Sequence, residues 1–557
     1  MAGLLIVFGF LFTSARAATI TFGTAATVSA DADVFTKGTF AYGYNWSNTS
    51  TTVNGVTFTG TNSSTGGGTD VSFSATGGLA NNPTVFATGS GSPWNGLSTS
   101  YKTLLTGGDY STSAPTTTTL SNLTVGQVYA VQLWVNDNRA GGVATRTQTV
   151  TSGGSGNTVT LDYNSTDAAG GVGQYTIGYF TANATTQTFT LTASSGTVAQ
   201  INALQVRSAQ PFWSGQTNGN WDTSTGNWTG GQSYSALTAA SVTSLTFGDA
   251  DGFGNTVTNK TLTVSSGLTA GSLTFQNTTA GGTYTLNGGS LTLSGGITKS
   301  GTGAVSIGTA LALAAGTHTV NVSDTTTALT VSGVISGTGA ISKTGTGTLI
   351  LSGANTYSGG TTIGNNTGIV RISNGSALGT GAVNLTKVST STSGTLELTN
   401  NITVANNFNF ASTNSDSAAQ ILNVSGNNTL SGALNVTSTG GNGAIIESAG
   451  GFLTVSGDFS TNQTGTRMLQ LSGASDGLFS GAINETASHP IFFIKDGAGT
   501  WTVTGASTAT GSYSVRGGVL NIQNSAALGT TRRLRAPRCP VARRWRWKVA
   551  SRSARRR

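Results

Sequence analysis

One pattern in this chain constrains its fold more than any other. Lys343-Thr-Gly-Thr-Gly-Thr-Leu-Ile-Leu-Ser-Gly-Ala-Asn-Thr-Tyr-Ser-Gly359 recurs as Lys495-Asp-Gly-Ala-Gly-Thr-Trp-Thr-Val-Thr-Gly-Ala-Ser-Thr-Ala-Thr-Gly511. Gly345, Gly347 and Gly353 match Gly497, Gly499 and Gly505, and Leu349 and Leu351 stand where the second copy has Trp501 and Val503. After a two-residue slip, Gly368-Ile-Val-Arg-Ile matches Gly518-Val-Leu-Asn-Ile, and Lys299-Ser-Gly-Thr-Gly-Ala-Val-Ser-Ile307 is a shorter, decayed copy. Each copy holds runs of three or four alternating residues ended by glycine. Such a run cannot bury its own apolar side, so only a stack of copies is stable. Rungs of a parallel β-helix meet the need: Leu, Ile and Val point inward, and glycine takes corners where φ must be positive. A period of roughly 20 residues predicts about 15 rungs and a length of about 70 Å.

The same texture runs over residues 245–531. Composition supports extended chain throughout: Gly numbers 81, and charged residues are 8% against about 25% in a typical soluble domain. Thr and Val suit pleated strands, Gly and Asn suit turns, and helix formers are scarce, so no amphipathic helix is expected. The sole cysteine, Cys539, lies in the tail. The body can therefore form neither a disulfide nor a thiolate metal site.

Ahead of the repeats, residues 1–17 read as a signal peptide, with an apolar run Leu4 to Phe12 and Ala15-Arg16-Ala17 as the cleavage site. Its n-region lacks Lys and Arg, which suggests a start codon upstream. Residues 18–208 are strand-rich and read as a β-sandwich. The clearest alternation is Val128-Tyr-Ala-Val-Gln-Leu-Trp-Val135, with one face expected in the core and Trp134 on it. Trp213, Trp221 and Trp228 mark a boundary segment, 209–244, that is expected to cap the open end of the solenoid.

The formal net charge of +8 comes from the end of the chain. Residues 532–557 hold eleven Arg and one Lys with no acid, which leaves the body at −4. The change falls inside a repeat, and this tail reads as out-of-frame translation. Nucleic-acid binding would rest on the tail alone, because the body has no basic stripe to neutralise phosphates.

The unit from Lys343 to about Leu385, and more loosely Lys495 to Thr530, closely resembles the autotransporter-associated β-strand repeat. The resemblance implies a right-handed β-helix displayed outside the cell. It also implies attachment to the outer membrane or envelope through a C-terminal segment that this chain lacks. Leu120-Ser-Asn-Leu-Thr-Val-Gly-Gln-Val-Tyr129, Trp134-Val-Asn-Asp137 and Ile201-Asn-Ala-Leu-Gln-Val-Arg207 resemble jelly-roll domains of the galactose-binding type. The expected fold is all-β: a jelly-roll-like sandwich followed by a right-handed parallel β-solenoid.

Candidates for chemistry are few. His318 and His489 lack a triad or metal setting and are expected in exposed strands or turns. The acids between 252 and 494 are scattered, whereas a polysaccharide-acting β-helix enzyme needs them clustered. Asp249 and Asp251 offer a weak calcium loop without a third ligand or distal Glu. Trp46, Trp94, Asn136, Asp137 and Arg139 are the carbohydrate candidates, because aromatic faces pack on pyranose rings while amides and charges bond hydroxyls. The alternative for those five is core packing and loop capping. The reading is a secreted, cell-surface adhesin-like scaffold without catalysis that contacts surface or matrix polysaccharide. Its rival is a carbohydrate-binding module carried on a solenoid spacer.

Overall fold

The computed structural model describes residues 18–111, 115–141, 145–152, 158–194, 198–239, 244–364, 368–386, 394–411, 418–437, 443–461, 463, 465–485, 490–529 and 534–535. The signal-peptide reading, His489 and nearly all of the Arg-rich tail lie outside them. Two compact units result. The first comprises Met1–Asn218, Asp222–Thr243 and Ala250–Thr258; the second comprises Gly219–Trp221, Ser244–Asp249 and Asn259–Arg557.

The first unit is β-rich, with an eight-stranded, a six-stranded and a small three-stranded sheet, and the jelly-roll likeness rests on the layering of the two larger ones alone. Val128–Val135 lies in an eight-stranded sheet between Gln174–Thr181 and Ala203–Ala209, antiparallel to both. A six-stranded sheet carries Thr116–Leu120, Thr147–Ser152 and Gln187–Ala193. Val131, Leu133 and Val135 share one core with Val71, Phe73, Leu120, Val150, Phe189 and Leu191, so the two sheets pack through their inner faces.

The central strand departs from the sequence reading: all eight of its residues are buried. A second core covers its other face, where Trp134 packs with Phe58, Trp94, Tyr101, Leu104 and Leu105. Phe58 comes from the strand Val56–Gly60, Trp94 from a turn, and the other three from a helix, Thr99–Thr106, that the composition argument did not anticipate. The helix is short, but Ser98 caps it by accepting the Tyr101 N–H, and Tyr101, Leu104 and Leu105 fall on one face at helical spacing.

The second unit is a parallel β-solenoid whose turns have three faces. The first face is an eleven-stranded sheet from Ser244–Phe247 to Ile483–Asn484, and the second is fourteen-stranded. The third face is four-stranded from Leu268–Ala270 to Ile335–Gly337 and six-stranded from Thr403–Val404 to Val519–Ile522. Inward and outward residues alternate as expected; in Thr348–Leu351, Leu349 and Leu351 are buried while Thr348 and Ile350 face outward.

The period is longer than the sequence suggested. Past the first strand of the second face, it ranges from 19 residues, Thr500 to Val519, to 28, Ser244 to Ser272. The solenoid therefore stacks eleven strands on its first face and fourteen on its second instead of 15 rungs, and at about 4.8 Å per rung the longer stack extends about 60 Å. Many turns add loop residues between strands, and those residues add nothing to the length.

Candidate functional site

The repeat builds a corner. At the end of Ala340–Thr344 the Lys343 side chain turns inward, 1% exposed, and its Nζ donates to the carbonyls of Thr344 and Gly345 at 2.8 Å each. Lys495 does the same at the end of Ile491–Lys495, donating to Asp496, Gly497 and Gly517 carbonyls. Lys299, in the decayed copy, donates to Gly301 O and to Asp324 Oδ2, both at 2.8 Å. A buried ammonium needs its hydrogens satisfied, and the turn that follows each lysine supplies carbonyls in reach. Burial pushes the Lys343 and Lys495 amines down to about 8. At Asp324 burial acts upward, but Lys299 and the Thr326 and Thr327 groups outweigh it and hold the carboxyl well below its ordinary value.

The motif glycines are required by space and by backbone. Gly345 and Gly497 have φ of 75° and 73°, in the left-handed region. Gly347 and Gly505 lie against the previous turn, where a Cβ would come within 1.9 Å of Asp324 O and 1.8 Å of Gly481 O. Beyond the strand, Asn355 ties turns together: its Oδ1 accepts the Ile335 N–H at 2.8 Å and its Nδ2 donates to Ala377 O at 2.6 Å. Tyr357, fully buried, meets Thr361 Oγ1 at 2.5 Å. Here the third face is carried by this loop in place of a strand.

The sequence-derived carbohydrate candidates do not form a sugar platform. Trp46 is in the core against Phe73, at 5.0 Å between ring centroids, and Trp94 belongs to the second core. All seven described tryptophans are buried, so none presents a face for stacking. Asn136 spends its amide on the Phe86 carbonyl and the Gly173 N–H. Asp137 is buried and pairs with Arg139 at 2.6 Å, and the Arg139 guanidinium lies 5.6 Å from the Phe86 ring centre. These polar groups fasten loops to one another, the capping alternative stated above.

Among the boundary tryptophans, Trp213 and Trp228 belong to the first unit and meet edge to face at 5.4 Å. Trp221 sits on Asn220–Trp221, the first strand of the second face, beside Phe247.

The calcium reading also changes. Asp249 takes Lys260 Nζ at 2.5 Å and the Thr278 N–H and hydroxyl, while Asp251 takes the N–H groups of Phe253 and Asn255. The two carboxylates fall in different units, and no group of three or more His, Cys, Asp or Glu among the described residues could hold a metal. His318 is buried as well, contrary to expectation; its ring nitrogens lie 2.6 Å from Gly295 O and 2.9 Å from Ala314 O.

Acids elsewhere on the solenoid hold backbone of the adjacent turn. Asp458 accepts the Ala482 N–H, Asp476 the Thr500 N–H, and Glu485 the Thr510 N–H.

What remains facing solvent are the outer sides of the strands, and the three faces differ. Outward positions of the second face include Ile350, Arg371, Leu422, Glu447 and Phe492, with Glu397 buried beside Arg371. The third face carries Phe452, Leu478 and Val519. The first face has only Ser, Thr and Asn, with Ala340, at the outward positions of its eleven strands.

The family described as Passenger-associated-transport-repeat matches residues 341–374 and 493–522, the two copies found in the sequence. No curated protein matches the chain. A solved structure described as "Crystal structure of Agl-KA catalytic domain" aligns over 88% of this chain and 99% of its own at 10% identity, with a TM-score of 0.17, too low to carry an argument. The two matched segments and the parallel solenoid that contains them fit an autotransporter-associated repeat protein.

Proposed function

We propose that this chain is a passenger-like scaffold displayed at the cell surface, which makes contacts through its solenoid and performs no catalysis. The observation that carries the reading is the corner built by each matched repeat: buried lysine, tight glycines and inward Leu or Trp all serve the stack. Four of its carboxylates support the same view, since those of Asp324, Asp458, Asp476 and Glu485 are bound to backbone N–H groups. A general acid or base needs a carboxyl free to meet substrate.

Two measurements test this. Protease or biotin labelling of intact cells expressing the chain is expected to reach the solenoid; labelling only after lysis defeats the display reading. The purified chain is expected to leave polysaccharides uncleaved in a reducing-end assay, and clear turnover overturns the non-catalytic part.

A further inference from the structure

The first face of the solenoid differs from the other two in a way that selects a partner. Ser342, Thr362, Asn384, Asn409, Asn435 and Ser460 stand in register on successive turns, each beside the next. All six are partly exposed. Asn409 Nδ2 donates to Asn384 Oδ1 at 2.9 Å, and Ser460 Oγ donates to Asn435 Oδ1 at 2.8 Å, so the column holds its own side chains in line along the axis. Each member still has donor or acceptor capacity directed outward.

No strand of this face places a charge outward; Lys299, Lys343 and His318, the charged or titratable residues on these strands, are buried. A polyanion would find no cation here, and an apolar partner no apolar patch. The face instead offers hydroxyls and amides repeated about every 4.8 Å. Amides and hydroxyls of this kind bond the hydroxyl groups of an uncharged sugar chain, and the pyranose units of an extended β-linked chain advance by nearly the same step as a rung.

We infer that the column from Ser342 to Ser460 is a docking surface for an uncharged, extended polysaccharide lying along the solenoid axis. This rests on the display reading, because such a polymer is met outside the cell. Contact is shared over many turns, so affinity arises from several modest bonds acting together.

The test uses the purified full chain with microcrystalline cellulose, chitin and alginate beads as probes. The chain is expected to be retained on cellulose or chitin and not on alginate. The triple variant Asn384→Ala, Asn409→Ala and Asn435→Ala is expected to bind about tenfold more weakly, the change that loss of a few shared hydrogen bonds produces. The second-face variant Arg371→Ala with Glu397→Ala is expected to bind as the unaltered chain does. Thermal melting reports folding, and Ser342→Ala with Thr362→Val, both within the column, serves if the triple variant does not fold; it too is expected to bind more weakly. Failure of the unaltered chain to bind either neutral polymer, preference for alginate, or equal binding by a folded first-face variant overturns the inference. A chain that labels at the cell surface yet ignores both neutral polymers overturns this inference alone, whereas a chain confined to the cell interior overturns the display reading.

Discussion

Three buried ionisable side chains give this protein a pH dependence that differs between its units. In the first unit Asp109 is 2% exposed, and burial pushes its carboxyl up to about 8. Between its ordinary value near 4 and about 8 the folded state keeps a proton that the unfolded chain has released. Stability of this unit therefore falls as pH rises through that window, by at most about 1.4 kcal/mol per pH unit. Asp109→Asn is expected to remove the slope and raise the melting temperature at pH 8 by a few degrees; calorimetry across pH 5 to 8 checks this, and a slope unchanged in the variant refutes it. Lys343 and Lys495 act in the opposite sense. Their folded values of about 8 lie below the ordinary 10.5, so between these limits the unfolded chain holds the extra proton and the solenoid gains stability as pH rises. Raised values at Tyr284, Tyr357 and Tyr513 reverse the trend above about pH 10. Lys343→Met with Lys495→Met is expected to flatten the solenoid transition between pH 8 and 10, and an undiminished rise would count against the assignment.

At the scale of elements, the two repeat copies show how one corner tolerates different residues. Leu349 sits beside Leu329 on the previous turn, while Trp501 sits beside Gly477, whose missing side chain makes room for the indole. Trp501→Ala is expected to destabilise the solenoid by about 3–5 kcal/mol, the usual range for emptying a buried Trp site. Gly347→Ala is expected to cost more than the ordinary ~1 kcal/mol of a helix-interior glycine comparison, in the opposite direction, because its Cβ would strike the Asp324 carbonyl. Denaturant titration of each variant measures both, and a change under 0.5 kcal/mol, roughly that of a surface substitution, defeats the packing argument. The engaged carboxylates of Asp249 and Asp251 lead to a further expectation: chelator leaves the melting temperature unchanged, and a fall reversed by added calcium would restore the metal reading.

Over the whole molecule, much was written locally. Short alternation fixed which side of each strand faces inward, glycine fixed the corners, and the recurrence of the Lys-x-Gly-x-Gly pattern required a stack; the all-β class and the solenoid follow from these. Local order could not fix what depends on distant partners. Trp46 and Trp94 could be read as sugar platforms or as core, and the structure places Trp46 in the core between the two sheets and Trp94 in the second core with its unforeseen helix. The period was underestimated because loop residues between strands lengthen a turn without changing the rung. The phase of the repeat is the clearest case. Its lysine strand lies on the first face and Thr348–Leu351 on the second, but in the later copy the lysine strand lies on the second face and Thr500–Val503 on the third. Sequence by itself determined the corner, since its lysine, glycines and apolar pair act within one turn and its neighbour. Only the tertiary structure decided which face each corner joins, because that depends on the summed length of all the turns between the copies, and three similar sides accept the corner equally well.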